Sequence, residues 1–358
     1  MQTIDRYIAA AFGRNFFLAA FALTSLYLFQ MLLGELLDHE FLVSQVLFHD
    51  SMIIPQIFVQ MTPPAVLLAT VLTLSGFNRT NELTACYSIG IGLNRIVGVV
   101  LSLVFMISCF TLVLQDHIIP PLYKKRTTYY WREMKGKTDF FLDVKQNKIW
   151  YRSKNIIYNL RTFDRDLKRI NGMAVYTFDE EFNLTQVIDV ERADYTPDGW
   201  KLINGTVTVF TREDPFPLNK KFLEKRLLIS EKPKDFEEIE KEVDGLRIKE
   251  LWRYIQRTKE TGTDTKSYEV KFHSRWSLSF IPLVMCLLGV PFSVRGRREG
   301  GLAKDLSLCL GVTFFYWLFY SVGLSLGTNG ALPPWVAAWM PSVIFAGLAG
   351  ILIARRRA

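Results

Sequence analysis

The sequence predicts a membrane α-helical protein with six transmembrane helices and an inserted all-β extracytoplasmic domain. Three observations carry this: long runs without charge, a polar strand-rich block mid-chain, and a one-sided distribution of Lys and Arg. Residues 51–78, 96–115, 276–294 and 306–354 hold no Asp, Glu, Lys or Arg, and residues 16–37 hold only Glu35. A bilayer core roughly 30 Å thick is crossed by about 20 helical residues. The last run is too long for one crossing and breaks at Gly327-Thr328-Asn329-Gly330. Three spans therefore lie on each side of the polar block. The predicted divisions are an N-terminal transmembrane half at 1–115, a β domain with flanking helical segments at 116–275, and a C-terminal transmembrane half at 276–358.

The charges set the topology. Overall, 22% of residues are charged and the net charge is +8. Those averages blend two unlike parts and do not decide the class. Arg6 and Arg14 precede or open the first span, and Arg79 and Arg95 lie between the second and third. Arg295, Arg297, Arg298 and Lys304 join the fourth to the fifth, and Arg355, Arg356 and Arg357 end the chain. The opposite short loops, 39–50 and 327–334, carry no Lys or Arg. Short loops rich in these residues stay in the cytoplasm. Both termini are thus expected inside and the large domain outside. The basic balance is explained by topology, so no nucleic-acid partner is expected. The first segment is read as a retained helix, because its apolar run is long for a signal peptide and no A-x-A site follows. Cys86, Cys109, Cys286 and Cys309 all avoid the outer domain. They are read as small packing residues rather than a disulfide framework.

Within the outer block, short runs rich in Val, Ile, Thr, Tyr and Phe recur at 149–151, 155–163, 172–179, 184–195 and 200–210. Asn171-Gly172, Pro197-Asp198-Gly199 and Asn204-Gly205 punctuate them as turns. Many strands at close spacing indicate a sandwich or barrel-like sheet. Val175 and Val207 are taken as inward-facing, with the facing of each strand open by one residue. An acidic helix-prone stretch at 234–244 follows. Residues 246–259 then read as an amphipathic helix with Leu251, Trp252 and Ile255 on one side.

Little catalytic chemistry is legible. His39, His49, His117 and His273 form no H-x-x-x-H or other metal spacing, so no metal site is expected. Gly136-Lys137-Thr138 resembles the end of a phosphate loop, but Trp131 stands where the first glycine is needed. No acidic or basic residue sits mid-span, which argues against an ion-coupled pump. An energy source in another subunit is expected.

Three stretches carry a family resemblance. They are Ile4-Asp5-Arg6-Tyr7-Ile8; then Leu74-Ser75-Gly76-Phe77-Asn78-Arg79-Thr80-Asn81-Glu82-Leu83 with Gly90-Ile91-Gly92; then Phe272-His273-Ser274-Arg275-Trp276 through Leu288-Gly289-Val290-Pro291-Phe292 to Leu332-Pro333-Pro334-Trp335. With the 3 + β domain + 3 plan, the chain resembles the lipopolysaccharide-export permeases, LptF and LptG, with the opening residues leaning to the G-type. The resemblance implies a bacterial inner-membrane ABC transporter. Its expected partners are a paired homologous permease, a cytoplasmic ATPase dimer, periplasmic jellyroll bridge proteins and lipopolysaccharide. It implies a jellyroll-like outer domain and no cofactor bound by this chain, with ATP and Mg used by the partner ATPase. One departure is noted: some members carry a basic residue late in the first span, where this chain has only Glu35.

Candidate site residues follow. The resemblance places a coupling helix in the inner loop, with Glu82 and Arg79 facing the ATPase; the plain alternative is a solvated charge. Phe314, Phe315, Trp317 and Phe319 offer apolar area for a lipid cavity, or they face lipid or neighbouring helices. Lys124, Lys125, Arg126 and Arg275 are placed at headgroup height, as phosphate contacts or as interfacial anchors. A rival reading is a membrane receptor or scaffold whose β domain senses an outer ligand. The short inner loops leave no room for a signalling module. An intramembrane enzyme lacks catalytic groups.

Overall fold

The computed structural model describes residues 3–37, 42–134, 141–145, 148–153, 155–164, 168–179, 181–196, 199–211, 214–227, 245–260, 264–293 and 302–355. It divides into two compact units, Met1–Ile119 with Lys266–Ala358, and Pro120–Thr265.

The first unit is helical: α1 (Thr3–Leu37), α2 (Val43–Ser51), α3 (Ile54–Arg79), α4 (Glu82–Ser88) and α5 (Leu93–Val113), then α8 (Lys266–Ser293), α9 (Leu302–Thr328) and α10 (Pro334–Ala354). Among the described residues, six helices are long and apolar enough to cross a membrane. α8 starts ten residues before the charge-free run at 276, where Lys266, Glu269, Lys271 and Arg275 favour helix without being apolar. α3 and α8 are mostly buried, whereas α1 and α9 leave most of their surface exposed. One core joins Ile8, Phe12 and Phe16 of α1 to Ala65, Ala69 and Leu74 of α3, with Val100 of α5 and Val290 of α8. A second joins Leu67 and Val71 of α3 to Ile281 and Met285 of α8, Tyr316 of α9 and Phe345 of α10. α3 and α8 are therefore the shared spine of two cores.

Close approach of that spine rests on a small residue. A Cβ on Gly289 of α8 would stand 2.9 Å from Thr70 Cγ2 of α3. Membrane helices pack through such positions because lipid supplies no hydrophobic drive between them. Thr70 Oγ1 donates to the Val66 carbonyl at 2.8 Å, so its methyl faces the glycine. Gly289→Val is expected to force the helices apart at a cost of about 1–3 kcal/mol. The check is a lowered melting temperature of the detergent-solubilised chain, against an unchanged one for Gly311→Ala, where a Cβ meets nothing.

The second unit opens with α6 (Ile119–Tyr129), which follows α5 through a π-helical turn at Leu114–Ile118 and ends in another at Tyr130–Met134. The sequence suggested that the third span stops near residue 115. Instead the helical path runs to Met134. Pro120 and Pro121 lack backbone N–H groups, and the wider π turn accommodates the broken i→i−4 ladder.

Seven strands follow: β1 (Phe141–Lys145), β2 (Lys148–Ser153), β3 (Ile156–Asp164), β4 (Arg169–Phe178), β5 (Leu184–Thr196), β6 (Gly199–Thr211) and β7 (Asp214–Leu227). They pair antiparallel in strict sequence order. The described strands thus form one meander. β1 and β7 were not anticipated. β7 carries Pro215 and Pro217 and several Lys residues, which suit a sheet edge and hide a strand pattern.

The core lies on one face, in cross-strand rows. Tyr158, Val175, Ile188 and Val207 form one row; Leu160, Met173, Val190 and Gly205 form the next. Val175 and Val207 are both buried, as expected. Beyond these rows the alternation shifts by one residue, and Ile170, Ala193 and Leu202 form a further buried row. Between them pairing skips a single row, Arg161, Gly172, Glu191, Asn204 and Leu223. Gly172 and Asn204 there have φ of 65° and 54°, and Asn204 Nδ2 donates to Glu191 Oε2 at 2.6 Å. This row is a crease. Such irregularities bend a sheet sharply, and residues from both sides join one core.

The helix α7 (Ile248–Glu260) closes the unit. Leu251, Tyr254, Ile255 and Thr258 are buried, at i, i+3, i+4 and i+7 spacing. Trp252 is exposed. Its expected place beside Leu251 fails because adjacent helical residues point about 100° apart. The acidic stretch 234–244 and Gly136-Lys137-Thr138 lie outside the described residues.

Candidate functional site

The loop between α3 and α4 is short and rigidly made. Asn81 sits in the left-handed region at φ 63°, a conformation that Asn tolerates better than most side chains. It turns the chain sharply so that α4 begins at once with Glu82. The Glu82 carboxylate accepts from Thr80 Oγ1 at 2.7 Å and faces the Tyr7 hydroxyl of α1. The Tyr7 ring stacks on Phe77 of α3, centroids 5.5 Å apart. Leu83 is 2% exposed and anchors α4 in the first core. Arg95 at the start of α5 pairs with Asp5 at 3.5 Å. The ends of α1 and α3 thus meet the start of α4 at Glu82. A half-buried carboxylate ties α4 to α1 and α3, so displacement of α4 is passed to two spans. Arg79, the last residue of α3, is exposed. Tyr87 and Ile89 add exposed apolar surface at the end of α4.

Sequence reasoning singled out Glu82 and Arg79 but missed Tyr7 and Thr80 as partners. Tyr7 lies in the Ile4-Asp5-Arg6-Tyr7-Ile8 stretch. A tyrosine just inside the first helix was the available signal.

The aromatic run of α9 divides by face. Phe314, Phe315 and Phe319 are exposed, on the side that also carries Leu318 and Val322. Tyr316 and Tyr320 are buried; the Tyr316 hydroxyl lies 2.8 Å from Ser342 Oγ of α10. Trp317 packs against the second core and stands edge-on to Tyr320 at 5.6 Å. The four residues grouped as cavity-lining therefore do not share one face: three are exposed, and Trp317 turns inward.

The basic residues are also split. Lys124, Lys125 and Arg126 occupy successive positions of α6, so their side chains fan around the helix about 100° apart. Lys125 is exposed, while Lys124 and Arg126 are half-buried. A Cβ on Gly245 would lie 3.3 Å from Lys124 Cγ, so the lysine stem is packed. Arg275, in the other unit, is half-buried in α8. Its carbonyl accepts from Gln115 Nε2 at 3.1 Å. Gln115 also donates to Ser279 Oγ at 2.7 Å, which stitches the π turn after α5 to α8.

Among the described residues, six apolar helices with a β sheet between the third and fourth describe a multi-pass membrane protein. The sequence matches the family Lipopolysaccharide export system permease LptF/LptG over residues 6–355. It is also 24% identical to the lipopolysaccharide export system permease protein LptG of Haemophilus influenzae, across all of this chain and 99% of that protein. The chain belongs to the LptF/LptG family and is a permease subunit of lipopolysaccharide export in the inner membrane.

Proposed function

We propose that this chain is the G-type half of a paired permease that draws lipopolysaccharide from the membrane and hands it to a periplasmic bridge, driven by ATP and Mg at a cytoplasmic ATPase dimer. The observation that carries the reading is the family match along the whole chain, including the inner helix α4. The G-type assignment is supported by the LptG relative.

In this reading α4 is the coupling element. The exposed Arg79, Tyr87 and Ile89 dock on the ATPase, and Glu82 transmits the motion to α1 and α3. The exposed faces of α1 and α9, with Phe17, Phe21, Phe29, Phe314, Phe315 and Phe319, are wide apolar walls for acyl chains or for the partner permease. Lys125, the exposed one of the four, is the basic residue best placed for lipid phosphate. The β domain offers the onward path through its apolar face to bridge proteins of similar build.

This reading requires both termini in the cytoplasm and the β domain in the periplasm. Leu223 of β7 is 80% exposed. Leu223→Cys is expected to react with a membrane-impermeant maleimide in cells whose outer membrane alone is permeabilised. Labelling only after rupture of the inner membrane reverses the topology and removes the export reading in this form.

A further inference from the structure

At the end of the first span a half-buried carboxylate meets two buried side chains. Glu35 lies in the last turn of α1, and His49 and Asp50 lie in α2. Their ligand atoms all fall within 4.8 Å of one another. His49 Nδ1 is 3.0 Å from Asp50 Oδ1 and 3.6 Å from Glu35 Oε2. The side chains of His49 and Asp50 are 7% and 3% exposed. Asp50 Oδ2 is buried and has no hydrogen-bond partner.

We propose that Glu35, His49 and Asp50 bind a divalent transition-metal ion of the Zn2+ class. Two carboxylates held this close repel unless a cation sits between them. A single Nδ1–H serves one oxygen well, and the 3.6 Å gap to Glu35 is beyond hydrogen-bond range. Asp50 Oδ2 would still be orphaned, at a cost that buried polar atoms rarely carry without an ion or water. A metal ion satisfies the set at once. One imidazole with two carboxylates is a donor set for Zn2+ and its neighbours rather than for Mg2+ or Ca2+, which take oxygen shells. Ligands at 2.0–2.2 Å from a tetrahedral Zn2+ stand about 3.3 Å apart, inside the observed spread. The fourth position is left to water or another oxygen. The bound ion would clamp α2 onto the end of α1 and so fix the hairpin between the first two spans. The sequence hid the site because its ligands come from two helices with no motif spacing.

The test uses the full-length chain purified in detergent without a histidine tag, stripped with EDTA and titrated with ZnCl2. Bound metal is counted by mass spectrometry, and affinity is read by competition with a chromophoric chelator. One equivalent of Zn2+ is expected, with a rise in melting temperature that MgCl2 does not reproduce. His49→Ala, Asp50→Asn and Glu35→Gln should each weaken Zn2+ roughly tenfold or more. His117→Ala, at an exposed histidine beside Asp116, should change nothing. A wild-type chain that retains no Zn2+ and shows no Zn2+-specific thermal shift overturns the proposal, whatever the variants do. So does Zn2+ binding that is equal in wild type and in all three variants. Neither outcome touches the export reading, which is measured by lipid release.

Discussion

Glu82→Lys is expected to lower ATP-driven lipopolysaccharide release by roughly tenfold or more while the chain still folds and inserts. The carboxylate is the point where Thr80 of the turn and Tyr7 of α1 meet α4. A lysine cannot accept the Thr80 hydrogen bond, loses the carboxylate that faces Tyr7, and puts a second cation beside Arg79. The loss of local stability is modest, about 1 kcal/mol, because the position is only half-buried and lies at a short helix start. The effect on coupling is expected to be larger, because α4 loses its tie to two spans. Release from proteoliposomes and ATP hydrolysis, both normalised to assembled complex, are the readouts. Tyr7→Phe isolates one bond: it removes the hydroxyl and leaves the ring stacked on Phe77. It should give a milder defect in release with insertion unchanged. If Glu82→Lys hydrolyses ATP and releases lipid at wild-type rates, α4 does not couple through this residue.

Trp200→Ala is the second large effect, and it falls on the β domain. Trp200 opens β6, is 1% exposed and is among the largest fully buried side chains. Its ring meets Tyr195 edge-on at 5.2 Å. Truncating such a residue costs about 3–5 kcal/mol through lost contact and a residual cavity. That is a large fraction of the stability of a domain of this size. The expected result is a β domain cut rapidly by protease in membranes, with the six helices still inserted and lipid release lost. A protease-resistant Trp200→Ala domain with normal release would mean that this core is not what holds the export path together.

Much of the architecture was legible because it is written in long, redundant signals. Four runs without charge and a fifth with only Glu35 do not depend on any single residue. The six spans were read from them, although the third helical path runs on to Met134 and the fourth starts ten residues before its apolar run. The central strands were legible from β-branched and aromatic runs. β7 was not, because Pro215, Pro217 and its lysines mimic a loop. The face of α9 was also hidden. In an apolar helix, hydrophobicity does not separate the buried Tyr316 and Tyr320 from the exposed Phe315 and Phe319. Only packing against Ser342 and Phe345 does. At the loop between α3 and α4, Glu82 was found through resemblance, whereas Tyr7 beside it is 75 positions away in sequence. No spacing rule connects a first-span tyrosine to a loop carboxylate. The Glu35, His49 and Asp50 trio was invisible for the same reason.

The skipped row at Gly172, Glu191 and Asn204 has a consequence for how the meander finds its pairing. In a uniform sheet, sliding one strand by two residues leaves every side chain on its own face, so such errors are only weakly penalised. Here each of β4, β5 and β6 changes phase once: even-numbered residues point inward on one side of the change and odd-numbered residues on the other in β4 and β6, where Ile170 gives way to Met173 and Val175, and Leu202 to Val207. A two-residue slip would carry one strand's phase change away from its neighbours'. Apolar residues on the displaced stretch would then turn to solvent. The row therefore acts as a common registration mark, and a long chain of neighbour-to-neighbour strands is left with one low-energy alignment.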